Sequence, residues 1–389
     1  MRKVYLDNAA TTRVKAEVIE EMNKYYGELY GNPSSIYNFG QLAKKAVESS
    51  REKVARLINS KSDEIYFTGG GSEADNWAVK GIISANEKKG NHIITTKIEH
   101  HAILHTCEYL EKKGVEVTYL DVDEDGLIDL NQLENSIKDN TLLITIMFAN
   151  NEIGSIQPIK EIGDIAKKHG IYFHTDAVQA VGNVKIDVKE MNIDLLSLSA
   201  HKIHGPKGVG ALYIKKGTKI HNLIHGGAQE KNLRAGTENV PGITGLGKAA
   251  DIAYHNFDKK NEKLIALRDK LIEKIDKEIP DARLNGHRKK RLPGNVNFSF
   301  KYIEGESLLL YLDMEGISAS SGSACTSGAL DPSHVLMSIG LPHEIAHGSL
   351  RLSLSEYNTV EDVDYTVEKL ITVVKRLRQM SPLFNKREE

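Results

Sequence analysis

The sequence predicts an α/β protein: a large body built on a mostly parallel sheet with helices on both faces, and a smaller α+β part. Three observations carry this. Between about residues 64 and 215, seven short apolar runs alternate with amphipathic segments of helix length. After residue 257 that rhythm gives way to long helical patterns separated by a few strand-like runs. The 389 residues are ample for one large core with an appendage.

Taken in order, the seven runs are EIYFT, HIITT, VEVTYL, LLITIMFA, IYFHT, LLSLS and GALYI. Each is short, rich in β-branched or aliphatic residues and followed by polar or small residues, as buried strands are. Ligands of such a sheet bind beyond the C-terminal ends of its strands. From Gly242 to Ile279 the pattern reads as one long connecting helix, with Leu264, Leu267, Leu271 and Ile275 at helical spacing. GNVNFSF and SLRLSL then read as strands, Ser307 to Met314 as a helix, and Val360 to Met380 as a final amphipathic helix. These readings divide the chain into a large domain, 15–257, and a small one formed by 1–14 with 258–389.

Hydrophobic residues make up 40% and charged residues 27%, and 51 basic against 53 acidic side chains leave a net charge of −2. That balance gives no reason to expect nucleic acid or an anionic membrane as a direct partner. The opening MRKVYLDNAATTRV is too polar for a signal peptide and no apolar run has the length of a membrane span, so a cytoplasmic protein is expected. Only Cys107 and Cys325 occur, which rules out a disulfide framework.

Four constellations carry chemistry. In IYFTGGGSEADN a glycine-rich turn leads from a strand into a helix, and Ser72 stands where a phosphate would meet free N–H groups. Gly69, Gly71 and Ala74 also satisfy the dinucleotide fingerprint, but the next acid after the following strand, Glu99, lies about thirty residues on rather than about twenty. Asp176 and Lys202 follow two successive strands and can face one crevice. Lys202, at the mouth of the strand Asp194 to Ser199, is a nucleophile toward carbonyls if desolvation strips its proton. A cofactor with an aldehyde and a pyridine ring needs this pair: a lysine for the Schiff base and a carboxylate for the ring nitrogen.

His100 follows another strand and can reach the same crevice for stacking or proton transfer. His101 and His105 have the spacing of helical metal ligands, but no further Cys or His pattern supports zinc, and no metal is expected. Cys325 sits in SASSGSACTSG, among Ser, Gly and Ala, where a mobile reactive thiol is expected. Cys107, in AILHTCEYL, reads as packing.

Nearly end to end, through YLDNAATT, GNPSS, TGGGSEADN, ANNEIGSIQP, HTDAVQAVG, SAHKIHGPKGVGALY, RAGTENVPG, SSGSACTSG and LRLSLSEYNT, the chain resembles the cysteine desulfurases, pyridoxal 5'-phosphate (PLP) enzymes of the class V aminotransferase superfamily. The resemblance implies PLP fold type I, a homodimer, and conversion of L-cysteine to L-alanine with sulfur passed to Cys325 as a persulfide. It implies that Lys202 is the Schiff-base lysine, Asp176 the ring-nitrogen partner, and His100 the ring-stacking proton carrier. Gln179 would bond the ring hydroxyl and Asn151 would lie beside cofactor and substrate. Ser72, Ser199, His201 and, from the other subunit, Thr237 would hold the phosphate; Arg351 would grip the substrate carboxylate. The long cysteine loop resembles the branch that feeds iron-sulfur scaffolds and tRNA-thiolation enzymes.

There are departures. Ser72 replaces a frequent threonine, Gly71 a frequent alanine, and Tyr37 a histidine that often follows NPSS. A selenocysteine lyase or an aminotransferase of the same superfamily would share everything except the need for Cys325.

Overall fold

The computed structural model describes residues 2–321, 332–382 and 384. In chain order the strands are β1 (Val4–Tyr5), β2 (Ile65–Thr68), β3 (His92–Thr96), β4 (Glu116–Leu120), β5 (Thr141–Thr145), β6 (Tyr172–Asp176), β7 (Leu195–Ser199), β8 (Gly210–Ile214), β9 (Ala282–Leu284), β10 (Asn295–Phe300), β11 (Ile317–Ser318) and β12 (Ser349–Ser353). The seven runs read from the sequence form one sheet in the order β2-β8-β7-β6-β5-β3-β4.

Six of these strands point the same way; β8 alone is reversed, pairing antiparallel with both β2 and β7. Length explains it. Only the ten residues from Ala200 to Val209 join β7 to β8, too few for the crossover that a parallel neighbour requires. The same short connection carries His201 and Lys202 and so cannot move far from the strand ends.

Successive residues of the central strands enter different cores, because side chains alternate across a pleated strand. Ile94, Ile144 and Leu196 belong to a cluster that also holds Val47, Val54 and Leu246 from flanking helices. Their neighbours Ile93, Leu143 and Leu195 pack on the other face with Ala74, Trp77 and Ile82, from the helix Gly71–Asn86. Burying both faces is what makes these strands read as nearly continuous apolar runs.

A separate core joins β9, β10 and β12 to the helices Phe257–Glu278, Gly305–Met314 and Val360–Met380. Val4 and Leu6 belong to it, and β1 pairs with β11. The single connecting helix expected over Gly242 to Ile279 is instead two, Val240–His255 and Phe257–Glu278. They break at Asn256, whose φ of −100° and ψ of 9° leave the helical well. The first packs against the helices Ala16–Gly27 and Asn38–Leu57, whereas the second belongs to the other core, so one straight rod would not serve both. No helix among the described residues is long and apolar enough to cross a membrane.

Candidate active site

Beyond the C-terminal ends of β2, β3, β5, β6 and β7 lies a cavity of about 370 Å³. Ten of the residues singled out in the sequence line it: Gly71, Ser72, His100, Asn151, Asp176, Gln179, Ser199, His201, Lys202 and Arg351. Thr237 does not; it is exposed, on a segment whose Arg234 binds Glu73 through Nε and Nη2 at 2.8 and 3.0 Å. Cys325 lies outside the described residues, as does the rest of 322–331.

The glycine-rich turn is built for close approach. Gly70 has a φ of 153°, and Gly210 of β8 runs so near it that a Cβ at 210 would sit 2.8 Å from the Gly70 carbonyl carbon. A Cβ at Gly71 would lie 2.7 Å from Val178 Cγ2, so the alanine common in relatives would require Val178 to move. The helix Gly71–Asn86 starts here, its first residues Gly71 and Ser72 lining the cavity, and Glu73 folds back to accept the Gly69 N–H at 2.7 Å.

Lys202 sits in a single 3-10 turn after β7, and its amine donates to the Ala10 carbonyl at 2.8 Å and to the Ala9 carbonyl. Gln179 also donates to the Ala9 carbonyl, at 3.0 Å, while His201 Nδ1 lies 3.2 Å from Thr11 Oγ1. The N-terminal segment therefore forms one wall. Burial, with Lys202 and Lys207 adding to it, pushes His201 down to about 4, so the ring is neutral near pH 7.

Asp176 ends β6 and accepts the Val178 N–H at 2.9 Å. It thus caps the following turn and also lines the cavity. Burial raises its pKa, and His100, the Val178 N–H and Lys202 oppose that rise. Burial lowers the pKa of His100, whose Nδ1 accepts the Ala102 N–H at 3.1 Å.

Arg351 comes from β12 and is 3% exposed. Its Nη2 bonds Asp7 at 2.9 Å and its Nη1 the Asn151 carbonyl at 3.2 Å, while Nε has no hydrogen-bond partner among the described residues. A carboxylate bound there would supply the missing acceptor. Ser320, paired with Arg351 through both backbone bonds, also lines the cavity.

Several participants escaped the sequence reading. Asp7 is one, since its partner Arg351 is 344 residues away. Asp75 is another, in the cavity wall and 1% exposed. Glu99, considered only as a ribose ligand, is buried behind the site, where it accepts from Thr96 Oγ1 and the Met147 N–H and where burial pushes it up to about 8. Their signal was a charged residue soon after a strand or in the first turns of a helix, which sequence alone cannot tell from a surface acid. His101 and His105 stack 4.9 Å apart, but no group among the described residues has the arrangement of a metal site. Cys107 is fully buried, and burial pushes its thiol up to about 12.

The residues present suit a phosphorylated pyridine aldehyde. A helix N-terminus beside Ser72 and Ser199 suits a phosphate, Lys202 a carbonyl, Asp176 a protonated ring nitrogen, and the unpartnered Arg351 Nε a carboxylate.

Comparison with known proteins agrees. The family model described as Aminotransferase class-V matches residues 4–366. A cysteine desulfurase IscS of Clostridium botulinum is 62% identical over 98% of this chain and 97% of its own, and one from Methanosarcina thermophila is 60% identical over 98% and 94%. Among solved structures, a NifS-like protein superposes with a TM-score of 0.91 at 41% identity, covering 97% of this chain and all of its own. SspA in complex with cysteine superposes at 0.82 with 39% identity, covering 92% of this chain and 100% of its own. A lysine and a buried acid at adjacent strand ends of a type I fold, together with full-length identity of this order, lead to one conclusion: the chain belongs to the class-V aminotransferase family, among its PLP-dependent cysteine desulfurases.

Proposed function

We propose that the sulfur this chain takes from L-cysteine passes to Cys325 as a persulfide, and from there to an acceptor protein such as an iron-sulfur scaffold or a tRNA-thiolation enzyme. One cysteine and one enzyme thiol become one alanine and one persulfide: a C–S bond breaks, an S–S bond forms, and the balance of atoms closes without an outside oxidant. When bound, PLP supplies a carbonyl for the substrate amine and a ring that takes up electron density from the α-carbon.

The chain's own residues then divide the work. The helix N-terminus at Gly71, with Ser72, Ser199 and His201, holds the phosphate; a neutral His201 does so by hydrogen bonding. Gln179 meets the ring hydroxyl, Asn151 lies beside cofactor and substrate, and Asp176 holds a proton at the ring nitrogen. Arg351 orients the substrate through its carboxylate, and Lys202 takes the α-proton and returns one. His100 stacks on the ring and, being neutral, is able to accept a proton.

The observation that carries the sulfur-transfer step is Ser320, bonded to the strand of Arg351 in the cavity wall. In sequence, Cys325 follows Ser320 by only five residues, a tether of at most about 18 Å when fully extended, which is short enough for a thiol at 325 to be delivered to a substrate held by Arg351. The test is Cys325→Ser. The variant is expected to keep PLP and bind cysteine but to form no labelled persulfide; full sulfur transfer by it would return the protein to the lyase or aminotransferase reading.

The active form in this reading is a cytoplasmic homodimer in which Thr237 serves the partner's phosphate. In support, Thr237 is exposed and is not among the residues lining its own cavity, and Tyr26, Tyr30, Ile36 and Tyr37 are exposed large side chains close together in sequence, with Ile36 93% exposed. In this reading each subunit divides into a large domain, 15–257, and a small domain of 1–14 with 258–389; the two main cores support it, and a smaller cluster in which Val335 and Leu336 pack with Ile98 and Met147 bridges the division.

A further inference from the structure

Three side chains inside the protein, beneath the cavity floor, form a polar chain that the reaction as described does not use. His174 Nδ1 lies 2.8 Å from Thr145 Oγ1, and its Nε2 lies 3.0 Å from Ser197 Oγ and 3.7 Å from Asp75 Oδ1. Thr145, His174 and Ser197 come from β5, β6 and β7 and are fully buried, and Asp75 is one of the buried residues of the helix covering that face. Asp176 belongs to the same face of β6, two residues beyond His174, and is paired in register with Ser197. So Asp75 closes a chain that ends beside the acid of the ring nitrogen. Its Oδ1, the oxygen nearest His174, is buried without a hydrogen-bond partner among the described residues, although Asp75 also lines the cavity.

We propose that Asp75 is a positioning residue of the cofactor site, a carboxyl that carries its proton so that Asp176 is left as the charged acid of the floor. Three buried acids interact here, Asp75, Asp176 and Glu99; of the two imidazoles near them, His100 lies beside Asp176, and His174, beside Asp75, is kept neutral by burial, which pushes it down to about 3. Asp176 has the neighbourhood of His100 and Lys202, which favours its charge. Asp75 has no such cation among the described residues; burial and the nearby Asp176 raise its pKa, against a smaller opposing effect of its hydrogen bond with Ser197. Two carboxylates in one dry site do not both ionise. If Asp75 were the charged one, repulsion would drive the proton onto Asp176, and a protonated Asp176 would lose its attraction for a ring N–H. A neutral Asp75 instead keeps its hydrogen bond with Ser197, which in turn meets His174, without setting a second negative charge beside Asp176.

This rests on the reading of Asp176 as the ring-nitrogen partner, and the experiment separates the two. Asn is the neutral isostere of a protonated Asp. Removing the side chain in Asp75→Ala leaves buried polar groups unmatched and is expected to weaken PLP binding by about tenfold, with Asp75→Asn recovering the affinity to within about threefold. Affinity is read by titrating cofactor-stripped protein with PLP. Infrared spectra of the same stripped protein at about pH 7 are expected to lose one protonated-carboxyl band in Asp75→Asn, a loss independent of turnover. An Asn variant as weak as the Ala variant, or no band lost, overturns the proposal. If Asp75→Ala does not fold, the Asn variant's affinity and spectrum decide alone. Separately, Asp176→Asn with unchanged PLP affinity and turnover would remove the Asp176 reading, while the infrared loss would still report the state of Asp75.

Discussion

Replacing Arg351 by lysine tests the substrate-carboxylate contact most directly. Arg351 is held from two sides, by Asp7 through Nη2 and by the Asn151 carbonyl through Nη1, with Nε left over in the buried site. A carboxylate approaching that fork receives two charge-assisted bonds; a lysine offers a point charge and keeps at most one of them. One such bond is worth about 1.5–3 kcal/mol. At about 1.4 kcal/mol per factor of ten, kcat/KM should fall by roughly 10- to 150-fold, chiefly through KM. The cost to the fold should be small. The Asp7 side chain is 21% exposed, so water takes over part of the lost pairing, and about 1 kcal/mol or less is expected. The assay is alanine formation against cysteine concentration, with PLP content and the unfolding midpoint measured on the same preparation. A KM within twofold of the wild type, in a folded and PLP-loaded Arg351→Lys, would refute the assignment.

Other perturbations follow from the same geometry. Lys202→Ala should still bind PLP weakly through the phosphate contacts but lose all turnover and the absorbance of a lysine-linked cofactor; normal desulfuration would contradict it. Glu99 is raised from 4.5 to about 8 by burial, so the folded state binds the extra proton between those values and stability falls as pH rises through that window. Glu99→Gln keeps an acceptor for Thr96 and Met147, and should flatten that fall, gaining a few kcal/mol relative to wild type at about pH 8 in denaturant titrations. A wild-type stability profile flat over this range would contradict the burial argument. Cys107, fully buried and with a thiol pushed up to about 12, should resist alkylation in the folded protein while Cys325 is modified, as peptide mass mapping would reveal. Rapid labelling of Cys107 in folded protein would mean that its region opens.

What the sequence alone determined here is everything with a local signature. Seven apolar runs became the seven strands of the sheet because residues buried on both faces leave a near-continuous apolar record, and the last helix has the bounds Val360–Met380 that its periodicity announced. Lys202 and Asp176 stood out because each follows a strand, and strand ends of such a sheet converge. The tertiary structure decided what depends on partners distant in the chain. It reversed β8, split the long connector at Asn256, and set Asp7 on Arg351 across 344 positions. It also turned Asp75 and Glu99, which look in the sequence like ordinary helix-start and loop acids, into buried carboxyls behind the cofactor floor. A residue's type travels with the sequence, but its solvent and its neighbours do not. Whether an acid is a surface charge or a proton carrier is settled only when folding takes the water away.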